Sequence, residues 1–236
     1  MAEPFRDRAI VVRRHDLGEA DRIIVLFTRE HGLVRAVAKG VRRAKSRFGS
    51  RLSPFVEIDA LIYPGRNLGT INSVDTIRTW AAPLVDDYAR YTCACAVLEV
   101  AERLVLEPDP QLWDMTVGAL DNVTTYTPGL ALTSYILQAM QHTGWAPSLF
   151  ECANCGKAGP HHAFSPALGG AVCTNCRPPG TGVDTEVLRL MWHLSRGDLS
   201  TTDAHVGSRA RALATAHLEF HLGRRITALK LVDAQW

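Results

Sequence analysis

The 236-residue chain is 47% hydrophobic and 21% charged, and it holds no run of about 18 apolar residues, so neither a low-complexity chain nor a membrane span is expected. The formal net charge of +2 hides an uneven split. Residues 1–80 carry 15 Lys and Arg against 9 Asp and Glu, whereas residues 81–236 carry 11 against 15, which marks the first part as the candidate anion-binding surface.

The opening Met-Ala-Glu-Pro-Phe-Arg-Asp-Arg is charged and lacks the apolar core of a signal peptide, so a cytoplasmic protein is expected. Residues 8–78 then read as five strands: Arg8–Arg13, Ile23–Phe27, Leu33–Lys39, Phe55–Tyr63 and Leu68–Ile77. β-branched content and Gly, Pro and Asn punctuation support them, and Val56, Ile58, Ala60 and Ile62 alternate onto one face. Five short strands in so few residues suit a small closed barrel of the oligonucleotide-binding (OB) type, with an SH3-like barrel as the competing architecture.

Between the third and fourth strands lie Lys39, Arg42, Arg43, Lys45, Arg47 and Arg51, and no acid occurs between Glu30 and Glu57. Gly40 and Gly49 keep this stretch loop-like, so its cations can splay along successive phosphates and release counterions. A solvated charge run is the competing reading. Arg35 and Arg66 extend the track, and Phe48, Phe55 and Tyr63 are candidates to stack on bases, although such aromatics are more often core. In an OB barrel the usual ligand loops join strands 1–2 and 4–5, so a basic run between strands 3 and 4 departs from that pattern.

After Pro83 the apolar period becomes helical. Leu84, Tyr88, Tyr91, Cys95 and Leu98 predict one helix face, stopped at Glu107-Pro108. Asp109-Pro110 starts a second helix with Leu112, Met115 and Leu120 inward. Thr127-Pro128 starts a third with a stripe of Leu132, Tyr135, Ile136, Ala139 and Met140, closed by Gly144. Helices resume at about Val183–Leu194 and Ala204–Leu222. Cys93 and Cys95, two apart on a helix, cannot pair and read as buried or half-buried free thiols.

A different chemistry interrupts these helices. Cys152-Ala-Asn-Cys155 is followed, after seventeen residues, by Cys173-Thr-Asn-Cys176. Each CxxC lets two sulfurs converge from one tight turn, and two such turns close a tetrahedron around zinc. Two disulfides or a redox CxxC are the alternatives. Four thiolates leave no open position for water, so the predicted role is structural. His161 and His162 are possible substitute ligands but read more simply as loop residues. No H-E-x-x-H or phosphate-loop motif occurs, and the knuckles do not form a deaminase signature, since neither His161 nor His162 has a Glu two residues on and Val172, not Pro, precedes Cys173. Only Lys157 and Arg177 are basic in residues 151–180, so this module is poorly charged for DNA.

Several stretches together resemble the RecO family of bacterial recombination mediators. Gly18-Glu-Ala-Asp-Arg22, Gly32-Leu-Val-Arg35, Lys39-Gly-Val-Arg42-Arg43, Lys45-Ser-Arg47-Phe48-Gly49 and Ser53-Pro-Phe are similar to its N-terminal barrel. Gly144-Trp-Ala-Pro147 with the four cysteines resembles its zinc segment, and His221-Leu-Gly-Arg-Arg225 the end of its C-terminal helix. The resemblance implies an α+β chain: an OB-type DNA-binding domain over 1–80, and a helical domain over 81–236 with a zinc ribbon inserted at about 150–180. It implies binding of single- and double-stranded DNA, annealing of complementary strands, and no enzymatic turnover. The implied partners are RecR, the single-stranded-DNA-binding protein and, through them, RecA. Arg224, Arg225 and Lys230 beside Leu222, Ile226 and Leu229 form the one cationic, apolar cluster in the acidic half suited to that binding protein's acidic tail.

Overall fold

The computed structural model describes residues 3–200 and 204–233. They form two compact units, one of residues up to Asp86 with Ala101–Val117, the other of Asp87–Val100 with the chain from Gly118 on. Residues 101–117, from the helical part of the sequence, thus belong to the first unit.

In the first unit β1 (Phe5–Leu17), β2 (Asp21–Thr28), β3 (Gly32–Ala38), β4 (Val56–Tyr63) and β5 (Gly69–Thr79) close into a barrel in the order β1-β2-β3-β5-β4. β1 is longer than the sequence suggests because it serves two partners, pairing from Phe5 to Ile10 with β4 and from Ala9 to Leu17 with β2. An irregularity between Val11 and Arg13 lets it bend between them. Ala9, Val11, Ile24, Leu26, Ala36, Ala38, Val56, Ile58, Ala60, Ile62, Ile71 and Val74 fill the interior, as alternation predicts.

The opposite face is buried too. Ile10, Val25 and Phe27 are buried but lie outside the interior cluster, which explains why Ile23–Phe27 reads as an unbroken apolar run. The buried Trp113, from the segment 101–117, donates its Nε1–H to the Phe27 carbonyl at 3.3 Å. Gly32 is required here: its φ is +66°, and a Cβ would meet the backbone of Glu107 and Pro108 at 3.3–3.4 Å. Glu57 is fully buried on β4 and takes guanidinium hydrogen bonds from Arg8 and Arg78.

The helices are α1 (Ala81–Val85), α2 (Tyr88–Leu104), α3 (Pro110–Thr125), α4 (Pro128–His142), α5 (Thr185–Ser195), α6 (Ala204–Leu222) and α7 (Thr227–Asp233). Asp109 caps α3 by accepting the Leu112 amide at 2.8 Å. The α4 stripe is buried as expected, and α4 packs with α5 and α6. The α2 stripe is buried only in part: Leu98 is buried and Cys95 half-buried, but the tyrosines are not. Tyr88 and Tyr91 are 63% and 45% exposed, and the packed side is made of Cys93, Ala94, Ala96, Val97 and Val100. The reason is a break before α2: Asp87 caps it through the Arg90 amide, so Leu84 belongs to a separate short helix and does not set the phase of α2.

Within the second unit, Glu99 of α2 accepts the Thr227 and Ala228 amides at 3.2 and 2.8 Å, placing a carboxylate at the α7 N-terminus. Ile226 and Leu229 are thereby buried, while Arg224, Arg225 and Lys230 stay exposed. Of the apolar residues expected beside those cations, Ile226 and Leu229 are therefore core, and only Leu222 is half-buried.

Candidate nucleic-acid interface and metal centre

All eight cations expected to meet DNA, Arg35, Lys39, Arg42, Arg43, Lys45, Arg47, Arg51 and Arg66, are exposed on the first unit. The loop that carries most of them is tied down at both ends. At its start, the Gly40 amide donates to Asp21 Oδ1 at 2.7 Å, and the Arg42 amide to the Ala20 carbonyl at 3.0 Å. These bonds lay the basic loop against the β1–β2 turn, one of the loops OB barrels ordinarily use for ligands. Parallel pairing of Ala36 with Gly69 brings the β4–β5 turn, with Arg66, next to the end of β3. The basic stretch between strands 3 and 4 is thus joined to the usual ligand rim instead of standing apart from it.

At the far end of the loop, Phe48 and Leu52 insert into the barrel interior at 1% and 2% exposure. Phe55 is buried as well. Neither phenylalanine can stack on a base, because Phe48 plugs the barrel and Phe55 is buried outside its interior cluster; of the three aromatics only Tyr63, 47% exposed, remains available. Phe48 instead supports Arg47, whose guanidinium carbon lies 5.0 Å from its ring centre. Arg51 donates to the Val74 carbonyl at 3.4 Å, and Arg42 to the Gly18 carbonyl at 3.1 Å. Among the described residues Arg35, Lys39, Arg43, Lys45 and Arg66 have no ion-pair partner. Phosphates can be held there by charge, with little surface for bases to stack on.

The metal centre is local to the second unit. Cys152, Cys155, Cys173 and Cys176 bring their sulfurs within 4.8 Å of one another. A tetrahedral ion with metal–sulfur bonds of about 2.3 Å, the zinc–thiolate value, requires sulfur–sulfur edges of about 3.8 Å. Cys155 Sγ and Cys173 Sγ are 3.8 Å apart, so the residues present fit such an ion. A two-stranded hairpin, β6 (Phe164–Ser165) and β7 (Gly170–Ala171), carries the second knuckle. Gly170 has φ +138°, and a Cβ there would fall 2.3 Å from the Ser148 carbonyl oxygen, so only glycine lets β7 lie against the chain at Ser148.

Donors aim at the sulfurs. The Cys173 amide donates to Cys152 Sγ at 3.3 Å, and Asn154 Nδ2 to Cys176 Sγ at 3.3 Å. The Cys173 amide is the largest reason that the Cys152 thiol falls to about 6. At Cys155 the Lys157 amide favours the thiolate, but proton sharing with Cys152 and Cys176 outweighs it and carries that thiol up to about 11. Four sulfurs this close cannot all ionise without a cation between them, and a bound metal supplies that cation. The histidines are committed elsewhere: His161 Nε2 bonds the Lys157 carbonyl at 3.0 Å, and His162 Nδ1 meets Thr185 Oγ1 at 3.0 Å. Asn154 was not recognised from the sequence, though an Asn inside each knuckle was the available signal.

Residues 1–80 match the family model described as Recombination protein O N terminal, and residues 85–230 the one described as Recombination protein O C terminal. The chain belongs to the recombination protein O family. Membership brings a role in DNA repair and recombination with DNA as binding partner, and it identifies the barrel as an OB-fold domain. Among the described residues no helix is long and apolar enough to cross a membrane.

Proposed function

We propose that this chain is a recombination mediator that holds single- and double-stranded DNA by its phosphates, anneals complementary strands, and with RecR promotes RecA loading on strands coated by the single-stranded-DNA-binding protein. The observation that carries this reading is the basic rim. Its exposed cations stand around a barrel whose nearby phenylalanines are turned inward. Annealing needs two strands held by their backbones with base edges free to pair, and stacking pockets would have to release each base first. The protein acts by binding and not by turnover, in the cytoplasm at the nucleoid.

One zinc ion per chain, held by the four cysteines, locks the two knuckles of the ribbon and takes no part in chemistry. The acidic helical unit offers little general attraction for DNA, so it serves protein partners. Gel-shift and annealing assays test the proposal, using bare complementary strands and strands coated with the single-stranded-DNA-binding protein, with and without RecR. Annealing no faster than the spontaneous rate on both substrates would refute it.

A further inference from the structure

The sheet face beside the β1–β2 turn carries a cluster that joins Arg42 of the basic run to three residues outside it. Asp16 and Arg22 are directly opposed in the β1–β2 ladder, and Arg14 lies two residues from Asp16 on the same face. Arg22 Nε meets Asp16 Oδ1 at 2.8 Å, and Arg42 reaches over from the loop to bring Nη1 within 3.5 Å of Asp16 Oδ2. Two guanidinium groups therefore hold one carboxylate, and Arg14 stands on the same face of β1 beside them. Hydrogen bonding from Arg22 foremost, with the charges of Arg42 and Arg14 behind it, holds that carboxylate below its ordinary range.

The neighbouring acid is used differently. Asp21 accepts the backbone amide of Gly40 and so positions the loop. Asp16 is 55% exposed, its side-chain contacts are with arginines, and it can swing aside without loosening a turn. We infer that a DNA phosphate displaces the Asp16 carboxylate from between Arg14, Arg22 and Arg42, making these three arginines one phosphate seat and Asp16 its internal occupant.

The chemistry matches. A carboxylate bridging two guanidinium groups presents its oxygens much as the non-bridging oxygens of a phosphodiester do. An exposed ion pair is weakly held, whereas a polyanion gains from counterion release as it binds. In the free protein Asp16 keeps the mutually repelling Arg22 and Arg42 aimed at one point. In the complex its competition shortens the stay of each phosphate, which suits a protein that must pass strands on. This inference rests on the DNA-binding reading above.

The test uses the full chain and fluorescence anisotropy of a labelled oligo-thymidylate strand over a salt series. Asp16→Asn is expected to bind roughly twofold to fivefold more tightly at low salt, the gain from no longer breaking an exposed ion pair. Arg14→Ala is expected to reduce the salt slope by about 0.7, one single-strand phosphate contact. Unchanged or weaker binding by a well-folded Asp16→Asn overturns the inference. Should that variant fold poorly, Arg14→Ala decides alone, since Arg14 hydrogen bonds only weakly, to Ser53 at 3.5 Å, and an unchanged slope then overturns it. A parent chain without salt-dependent binding overturns the DNA reading itself. A parent whose binding falls on Arg43→Ala with Lys45→Ala, while both cluster variants match it, overturns only the seat.

Discussion

Acidification should destabilise the helical unit through one buried imidazole. His217 on α6 is fully buried, and its Nε2–H donates to the Trp145 carbonyl at 3.1 Å. Its Nδ1 is buried without a hydrogen-bond partner, so a proton added there would have no acceptor. Phe164 and His221 pack on it, with ring centres 5.8 and 4.6 Å away. Burial foremost, and the neighbouring His221 second, push its pKa from 6.5 down to about 4. The unfolded chain therefore binds this proton more readily than the folded one. The stabilisation is complete above the unfolded value, is lost as pH falls from about 6.5 towards about 4, and changes no further below.

The difference of about 2.5 pH units corresponds to roughly 3 kcal/mol in full, and to about 2 kcal/mol between pH 7 and pH 5. Urea unfolding of the metal-loaded protein at several pH values, compared with His217→Phe, isolates this contribution, because thiolate titration at the metal site is common to both chains. The parent should lose about 2 kcal/mol more than the variant on going to about pH 5. Two stability–pH curves that run parallel would show that the imidazole is not held neutral by burial, and the reasoning would fail.

Elemental analysis should find one zinc per chain, and replacing all four ligand cysteines with serine should lower the melting temperature; a variant that melts like the parent would rule out a structural ion. Single-strand binding through about five phosphate contacts should fall with salt at a log–log slope near −3.5, and changing Arg42, Arg43 and Lys45 to Ala should bring it to about −1.4. A salt dependence that stays steep in that variant would place the DNA elsewhere. Glu57→Ala should cost about 2–3 kcal/mol by removing the buried acceptor of Arg8 and Arg78, and a loss below about 0.5 kcal/mol in urea unfolding would contradict the role assigned to it.

The parts legible in the sequence are those governed by near neighbours. Alternation at Val56, Ile58, Ala60 and Ile62 is a property of one strand, and the CxxC turns are properties of four residues each, so both appear where expected. The features that could not be read depend on distant chain. The run Ile23–Phe27 could be seen, but its two-sided burial needed Trp113, some ninety residues on. Counting the helical period from Leu84 places Tyr88 and Tyr91 inward, and the cap at Asp87 that resets the phase has only a weak local signature. Phe48 was open to two readings, as stacking surface or core, because a loop aromatic becomes core only when a barrel end is there to receive it. His217 carries no signal at all, since its burial against Phe164 and the Trp145 carbonyl is made by tertiary packing.

Phe48 also connects the fold to the proposed activity. A loop of six cations would repel itself and fray if nothing held it, and a frayed loop loses conformational entropy each time it binds. Phe48 and Leu52 anchor one end in the barrel, and the Gly40 and Arg42 amides anchor the other. The backbone is thus fixed in advance while Arg43 and Lys45, between the anchors and without ion-pair partners among the described residues, keep their freedom to follow a moving strand. Turning the aromatic inward has a second effect, because the loop then offers charge without a stacking surface. Under the proposed activity, affinity comes from phosphate neutralisation, which is the same for every sequence, and the bases stay unoccupied for a complementary strand. A variant that exposed an aromatic on this loop, such as Ala44→Trp, should therefore bind single strands more tightly and anneal them more slowly. Faster annealing by that variant would mean that base contacts, and not phosphate contacts alone, serve the reaction.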